Sequence, residues 1–287
     1  MTSRGELTGY TLVIIAALSW STAGLFTRVV STDIATTLLW RSVFGGLAVM
    51  LIHYGLSRDK GLQDLLKFST GEVIIAGVSA IAMTCFISAF FFTSIANVAF
   101  VYGAVPLVTM VLAWLLLHET PTSVGIIAAV GSAFGIGILA WGGQSFLDFV
   151  GLGLAMLMTI FMAAITVLAK YFPSANSSKC AYLSAYLAVL VVAPFSTGFA
   201  VSTIDFTWLA LYGLVNVGLG FGVYLAGVSR IPALAAALLG LLEIPLAPVW
   251  AFMLFNEELG TKTVLGGALV VAASLIYIVG TARRASS

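Results

Sequence analysis

The chain is an almost unbroken series of apolar runs, each ended by a short polar break. A helix needs ~20 mostly apolar residues to cross ~30 Å of hydrocarbon. Runs of that length read at 9–28, 35–56, 72–93, 97–117, 123–141, 150–169, 179–199, 207–228, 233–255 and 263–281. Lipid cannot satisfy open backbone groups, so helices are the expected form. A barrel would alternate polar and apolar residues over ~10-residue strands, and these runs are too continuous. The expected fold class is an all-α integral membrane protein with ten transmembrane helices. Composition excludes the soluble alternatives. Only 8% of the 287 residues are charged and 61% are hydrophobic, where soluble domains carry about 25% charge. A mean hydropathy of +1.14 rules out a water-soluble enzyme and a disordered chain alike. A net charge of +1 offers no field for nucleic acid. Cys85 and Cys180 lie in or beside apolar runs and read as unpaired thiols. The first run follows a polar start without a small-residue cleavage site, and reads as a retained helix.

Ten spans place both termini on one side. Arg4, Arg58, Lys60, Lys67, Lys170, Lys179, Arg230, Arg283 and Arg284 fall on that side, against Arg28 and Lys262 on the other. The bias puts both termini in the cytoplasm. Leu62, Leu65 and Leu66, between Lys60 and Lys67, read either as a short interfacial helix or as a solvated loop.

The two halves repeat. Pro106 and Pro245, Glu119 and Glu258, and Thr122 and Thr261 are each 139 residues apart. Residues 1–145 and 146–287 thus form two units of five spans each. Five is odd, so the second unit enters the membrane inverted relative to the first. Two inverted units around a central cavity can exchange conformations and open it to either side in turn, with a site near the midplane.

The residues that punctuate these spans resemble the drug/metabolite transporter superfamily, in the branch built from two EamA domains. They are Ser19-Trp20-Ser21, Leu39-Trp40-Arg41, Pro106 with Ala113-Trp114 to His118-Glu119, and Glu243 with Ala247-Pro248 and Trp250 before Glu257-Glu258. The stretch from Leu241 to Trp250 is most similar to the YddG-type amino-acid exporters. Arg230 and Pro232 depart from the matching region near Ser94, so the ninth helix is expected to begin differently from the fourth. The resemblance implies a bacterial-type inner membrane and export of small metabolites, typically aromatic and other apolar amino acids. Drugs and other metabolites are the alternative cargo.

Ionisable groups within a bilayer are costly and mark function by default. All five Asp fall in expected connections, which leaves Arg41 and Glu243 inside spans away from their ends. Glu243, roughly 15 Å into its helix, either binds a substrate ammonium, carries a proton or fixes packing. Arg41 either attracts a substrate carboxylate or snorkels and holds helix ends. Trp20, Ser21, Ser79, Thr84, Tyr102, Asn216 and Tyr224 are the other candidate substrate contacts, each also an ordinary packing or interhelical group. Pro106 and Pro245 remove a helix hydrogen bond and read as mid-membrane hinges or as shape features alone. Trp114, Trp141, Trp208 and Trp250 read as an interfacial belt. Gly131 with Gly135, and Gly218 with Gly222, suit close packing within a monomer.

The rivals are weaker. An enzyme would want a metal-binding or nucleophilic constellation, and only His53 and His118 are present. A channel would want a continuous polar lining, and a receptor would not need the repeat. No phosphate-binding loop motif occurs, so ATP is not expected to drive the cycle, and no cofactor is expected. Coupling to protons through Glu243 is the candidate drive. A nucleotide-sugar carrier would want several basic groups at the midplane, where only Arg41 stands.

Overall fold

The computed structural model describes residues 4–57, 61–93, 95–140, 149–197, 200–255 and 260–286. Arg58, Asp59, Lys60, Ser94, Trp141, Asp148, Glu257 and Glu258 lie outside them. Every regular element among the described residues is helical. In chain order these are α1 (Arg4–Ser21), α2 (Ala23–Val29), α3 (Ile34–Leu56), α4 (Thr70–Phe92), α5 (Ile95–Tyr102), α6 (Val105–Leu117) and α7 (Ser123–Ala140). Then follow α8 (Phe149–Tyr171), α9 (Ser177–Val192), α10 (Thr203–Tyr212), a π-helical segment (Gly213–Gly222), α11 (Val223–Val228), α12 (Ala233–Gly240), α13 (Glu243–Phe255) and α14 (Thr261–Ser286).

Among the described residues six rods are long and apolar enough to cross a membrane: Arg4–Val29, Ile34–Leu56, Phe149–Tyr171, Ser177–Phe195, Thr203–Val228 and Ala233–Leu254. Thr70–Phe86, Val105–Leu117, Ser123–Ile138 and Val264–Gly280 are apolar but shorter. The segment Leu62–Leu66 is a short 3₁₀ helix with Leu62 and Leu66 exposed.

Polar residues set the helix starts. Asp33, Asn176 and Ser202 cap α3, α9 and α10 by accepting backbone N–H groups of the first turn. Ser69 and Glu72 open α4 with a capping box. Burial pushes the Asp33 carboxyl up, but hydrogen bonds from Thr197 and Thr36 outweigh it and bring the group from 3.8 down to about 2. A depressed carboxylate stabilises the fold above its ordinary value and loses that contribution as pH falls through the native one. Asp33→Asn keeps a competent cap and removes the charge. The variant is expected to melt below the wild type near neutrality, and the gap is expected to close between about pH 4 and about pH 2. Thermal unfolding of both proteins across that range is the check.

Several helices pack against partners far away in sequence. α14 lies along α7, α3 along α9 and the π segment, and α4 between α8 and α9. α1 rests on α11, the π segment, α12 and α13, while α5 and α6 rest on α8. Small residues let backbones meet. A Cβ at Gly135 would stand 2.8 Å from the Gly266 carbonyl, so α7 touches α14 there. The spacing of Gly218 and Gly222 does not serve such a contact. A Cβ at Gly218 meets nothing within 4 Å, and one at Gly222 meets its neighbours only at 3.9 Å. A close backbone approach in this rod is at Gly213 instead, where a Cβ would fall 2.5 Å from the Arg41 carbonyl oxygen and 2.7 Å from the Gly45 nitrogen.

Carboxylates at the helix ends tie the N-terminal half to the C-terminal half. Glu119 pairs with Lys170 and accepts the Ala233 N–H. Asp64 pairs with Lys179 at 2.8 Å and stands 3.0 Å from His53 Nε2. Glu72 accepts the Asn176 N–H. At the other end of the bundle Asp205 accepts the Ser31 N–H and hydroxyl. Asp205 is buried in the first turn of α10, not in a connection as its sequence position suggested. It is tolerated because Ser31 and Ser202 supply its donors.

Candidate functional site

Two rods are broken in mid-course. α5 ends at Tyr102 and α6 starts at Val105. α12 ends at Gly240 and α13 starts at Glu243. Pro106 and Pro245 stand just past the two breaks, in the first turn of the helix that follows, where a missing N–H costs little. The sequence reading placed kinks at these prolines, and the helices part immediately before each of them.

The breaks bring Tyr102 and Glu243 together. Their side chains lie close enough to interact electrostatically, the tyrosine hydroxyl beside the carboxylate. Glu243 lies in the first turn of α13, where a carboxylate complements the exposed N–H groups and the helix dipole. Every residue from Ala233 to Leu241 is buried, whereas Glu243 and most of Leu242 to Trp250 are half-buried. The break therefore separates a sealed half of this rod from an accessible one.

Tyr224 and Trp20 extend the cluster. The Tyr224 hydroxyl shares a 2.7 Å hydrogen bond with Thr166 Oγ1. Its ring lies 4.9 Å from that of Trp20, tilted by 46°. Trp20 Nε1 donates to the Asn216 carbonyl at 3.0 Å. It fits there because residue 220 is glycine: a Cβ at that position would stand 2.4 Å from Nε1. The contact falls within the π segment, where Asn216 O is turned to Trp20 and the Asn216 amide donates to Ser19 O at 3.0 Å.

Arg41 forms a second layer. Its guanidinium donates to Asn216 Oδ1 at 3.4 Å and to the Met83 sulfur at 3.2 Å, and lies 5.1 Å from the centre of the Tyr212 ring. Arg41 and Glu243 do not form an ion pair. Asn216, beside Arg41, and Tyr224, beside Glu243, are eight residues apart on one rod, roughly 10–12 Å along its axis.

Other candidates are not part of either layer. Ser79 and Thr84 donate to Ile75 O and Ala80 O one turn back in their own helix. Ser21 accepts the Trp250 indole N–H at 2.8 Å and donates to Leu18 O. Trp250 also links α13 to α1 through this bond. Its count from the helix end gave depth but not direction. Trp114 and Trp208 are exposed. Thr166, Met83 and Tyr212 belong to the layers and were not singled out from sequence. Thr166 carried the same signal as Thr84, a hydroxyl in an apolar run, and only the fold distinguishes them. Among the described residues no group of His, Cys, Asp and Glu could hold a metal ion.

These features define a polytopic helical membrane protein with a polar and aromatic site between broken helices. The EamA-like transporter family matches the chain twice, over residues 7–141 and 149–279, and the chain belongs to that family. It is 24% identical to the uncharacterized transporter sll1164 of Synechocystis sp. (strain ATCC 27184 / PCC 6803 / Kazusa), covering 84% of this chain and 74% of the relative. It is 25% identical to the uncharacterized transporter YwfM of Bacillus subtilis (strain 168), covering 92% of this chain and 91% of the relative. A solved chain described only as "Crystal structure of protein" has the same fold, with a TM-score of 0.82 over 100% of both chains at 21% identity.

Proposed function

We propose that this protein exports small amino acids or related metabolites, with apolar or aromatic side chains, by alternating access between two inverted units of five spans. Glu243 at the facing helix breaks is the observation that carries the reading, because transporters place substrate and coupling-ion sites at discontinuous helices near the midplane. Trp20, Tyr102 and Tyr224 offer the aromatic wall. Glu243 meets a substrate ammonium or takes a proton during the cycle.

The packing supports the inverted arrangement. With the halves exchanged, α4 on α8 and α9 becomes the Thr203–Val228 rod on α1 and α3. The α5/α6 rod on α8 becomes the α12/α13 rod on α1. Ser69-x-x-Glu72 and Ser202-x-x-Asp205 open matching rods, and each carboxylate accepts an N–H beside the start of α9 or of α3. The breaks then act as hinges, and residues 1–145 and 146–287 as the two moving units. Both termini face the cytoplasm in this reading, and one chain suffices for the cycle.

The test is counterflow in proteoliposomes with a panel of amino acids, their amides and apolar drugs at several pH values. Exchange of apolar or aromatic amino acids, varying with pH, is expected. Exchange of drugs without amino acids would replace the cargo and keep the mechanism. No exchange of any solute would remove the reading.

A further inference from the structure

Arg41 is an uncompensated buried cation. It is 5% exposed, and its Nε has no hydrogen-bond partner. Its two side-chain hydrogen bonds leave the rest of its five N–H groups without side-chain acceptors. All of its side-chain partners are neutral: an amide, a thioether and a phenol ring. No carboxylate among the described residues serves it. The α9 helix and the π segment carry no acidic residue. The only acid on α10 is Asp205, which is held by Ser31 and Ser202. The only acid on α4 is Glu72, in the capping box at its far end. A charge removed from water without a counter-ion is strongly unfavourable. A thioether is also a poor acceptor to set against a guanidinium. The Met83 sulfur stands where a carboxylate oxygen would bind far better, and its flexible side chain can withdraw.

We infer that Arg41 is an anion-binding subsite that takes the carboxylate of the solute, at a stop separate from Glu243. The inference rests on the export reading and narrows its cargo. Compounds with a free carboxylate are handled, whereas amines and amides of the same side chain are handled poorly. Arg41 suits this role because its planar fork grips both oxygens of a carboxylate, which a lysine does not.

The experiment reads binding, so it is independent of transport. The full chain is placed in nanodiscs, and its thermal unfolding is followed with leucine or phenylalanine and with their amides. Chloride is titrated separately against isethionate at constant ionic strength. The wild type is expected to respond to the carboxylates at concentrations at least about tenfold lower than to the amides, a difference of ~1.4 kcal/mol. Arg41→Gln is expected to abolish the preference. Arg41→Lys keeps the charge without the fork and is expected to retain only part of it, which covers the case of a poorly folded glutamine variant. A preference that survives in either variant at full size overturns the assignment. So does a wild type that responds to chloride but not to carboxylates, or to no anion. Carboxylate-selective binding with no counterflow in liposomes would sustain the subsite and remove the export reading.

Discussion

Glu243→Gln is expected to lower amino-acid counterflow by at least about tenfold and to leave the residual exchange independent of pH. The substitution is nearly isosteric, so Tyr102 keeps a polar neighbour and α13 keeps its first turn. What is lost is the charge and the titrating proton. A hydrogen bond to a charged group contributes ~1.5–3 kcal/mol, which is roughly 10- to 150-fold in an equilibrium constant. The two roles open to Glu243 give different signatures. A residue that binds the ammonium loses affinity at every pH. A residue that only carries a proton keeps exchange at a fixed pH and loses its pH dependence. Glu243→Asp restores the charge at a shorter reach, and partial recovery is expected only if charge is what matters. Unchanged exchange with an unchanged pH profile in Glu243→Gln would leave the residue a packing role.

Much of this site was legible before the fold was known. Ionisable groups in apolar runs singled out Arg41 and Glu243, and paired prolines singled out the two helix breaks. Proline acts locally, through its missing N–H and fixed φ, so its consequence can be read from one residue. The π segment could not be read in that way. Gly213–Gly222 is as apolar as its surroundings, and the contact it makes comes from Trp20, nearly two hundred residues away in the chain, seated against Gly220. The same limit explains the hydroxyls. Thr84 bonds back to its own helix and Thr166 bonds across to Tyr224. Both stand mid-run in sequence, and only helix rotation, set by packing, decides which one faces the site. The partner of Trp250 was illegible for this reason also. A linear count fixes how deep a residue sits and says nothing about which neighbour it faces.

The packing that seats Arg41 makes a further prediction, in which two glycines only five residues apart are expected to respond with opposite sign. Gly213→Ala adds a Cβ 2.5 Å from the Arg41 carbonyl oxygen and 2.7 Å from the Gly45 nitrogen. Both obstacles are backbone, so no rotamer change relieves them, and α3 must move away from the π segment. Overpacking of this kind costs roughly 1–3 kcal/mol. Gly218→Ala adds the same methyl group where nothing lies within 4 Å. It loses no contact and gains helix propensity, up to ~1 kcal/mol. The midpoint of thermal unfolding is expected to fall in the first variant and to hold or rise in the second. The first is also expected to weaken carboxylate binding, because the carbonyl pushed aside belongs to Arg41 itself. Equal midpoints for the two variants would mean that α3 and the π segment do not touch through their backbones. The position of the guanidinium between Asn216, Met83 and Tyr212 would then have lost its structural basis.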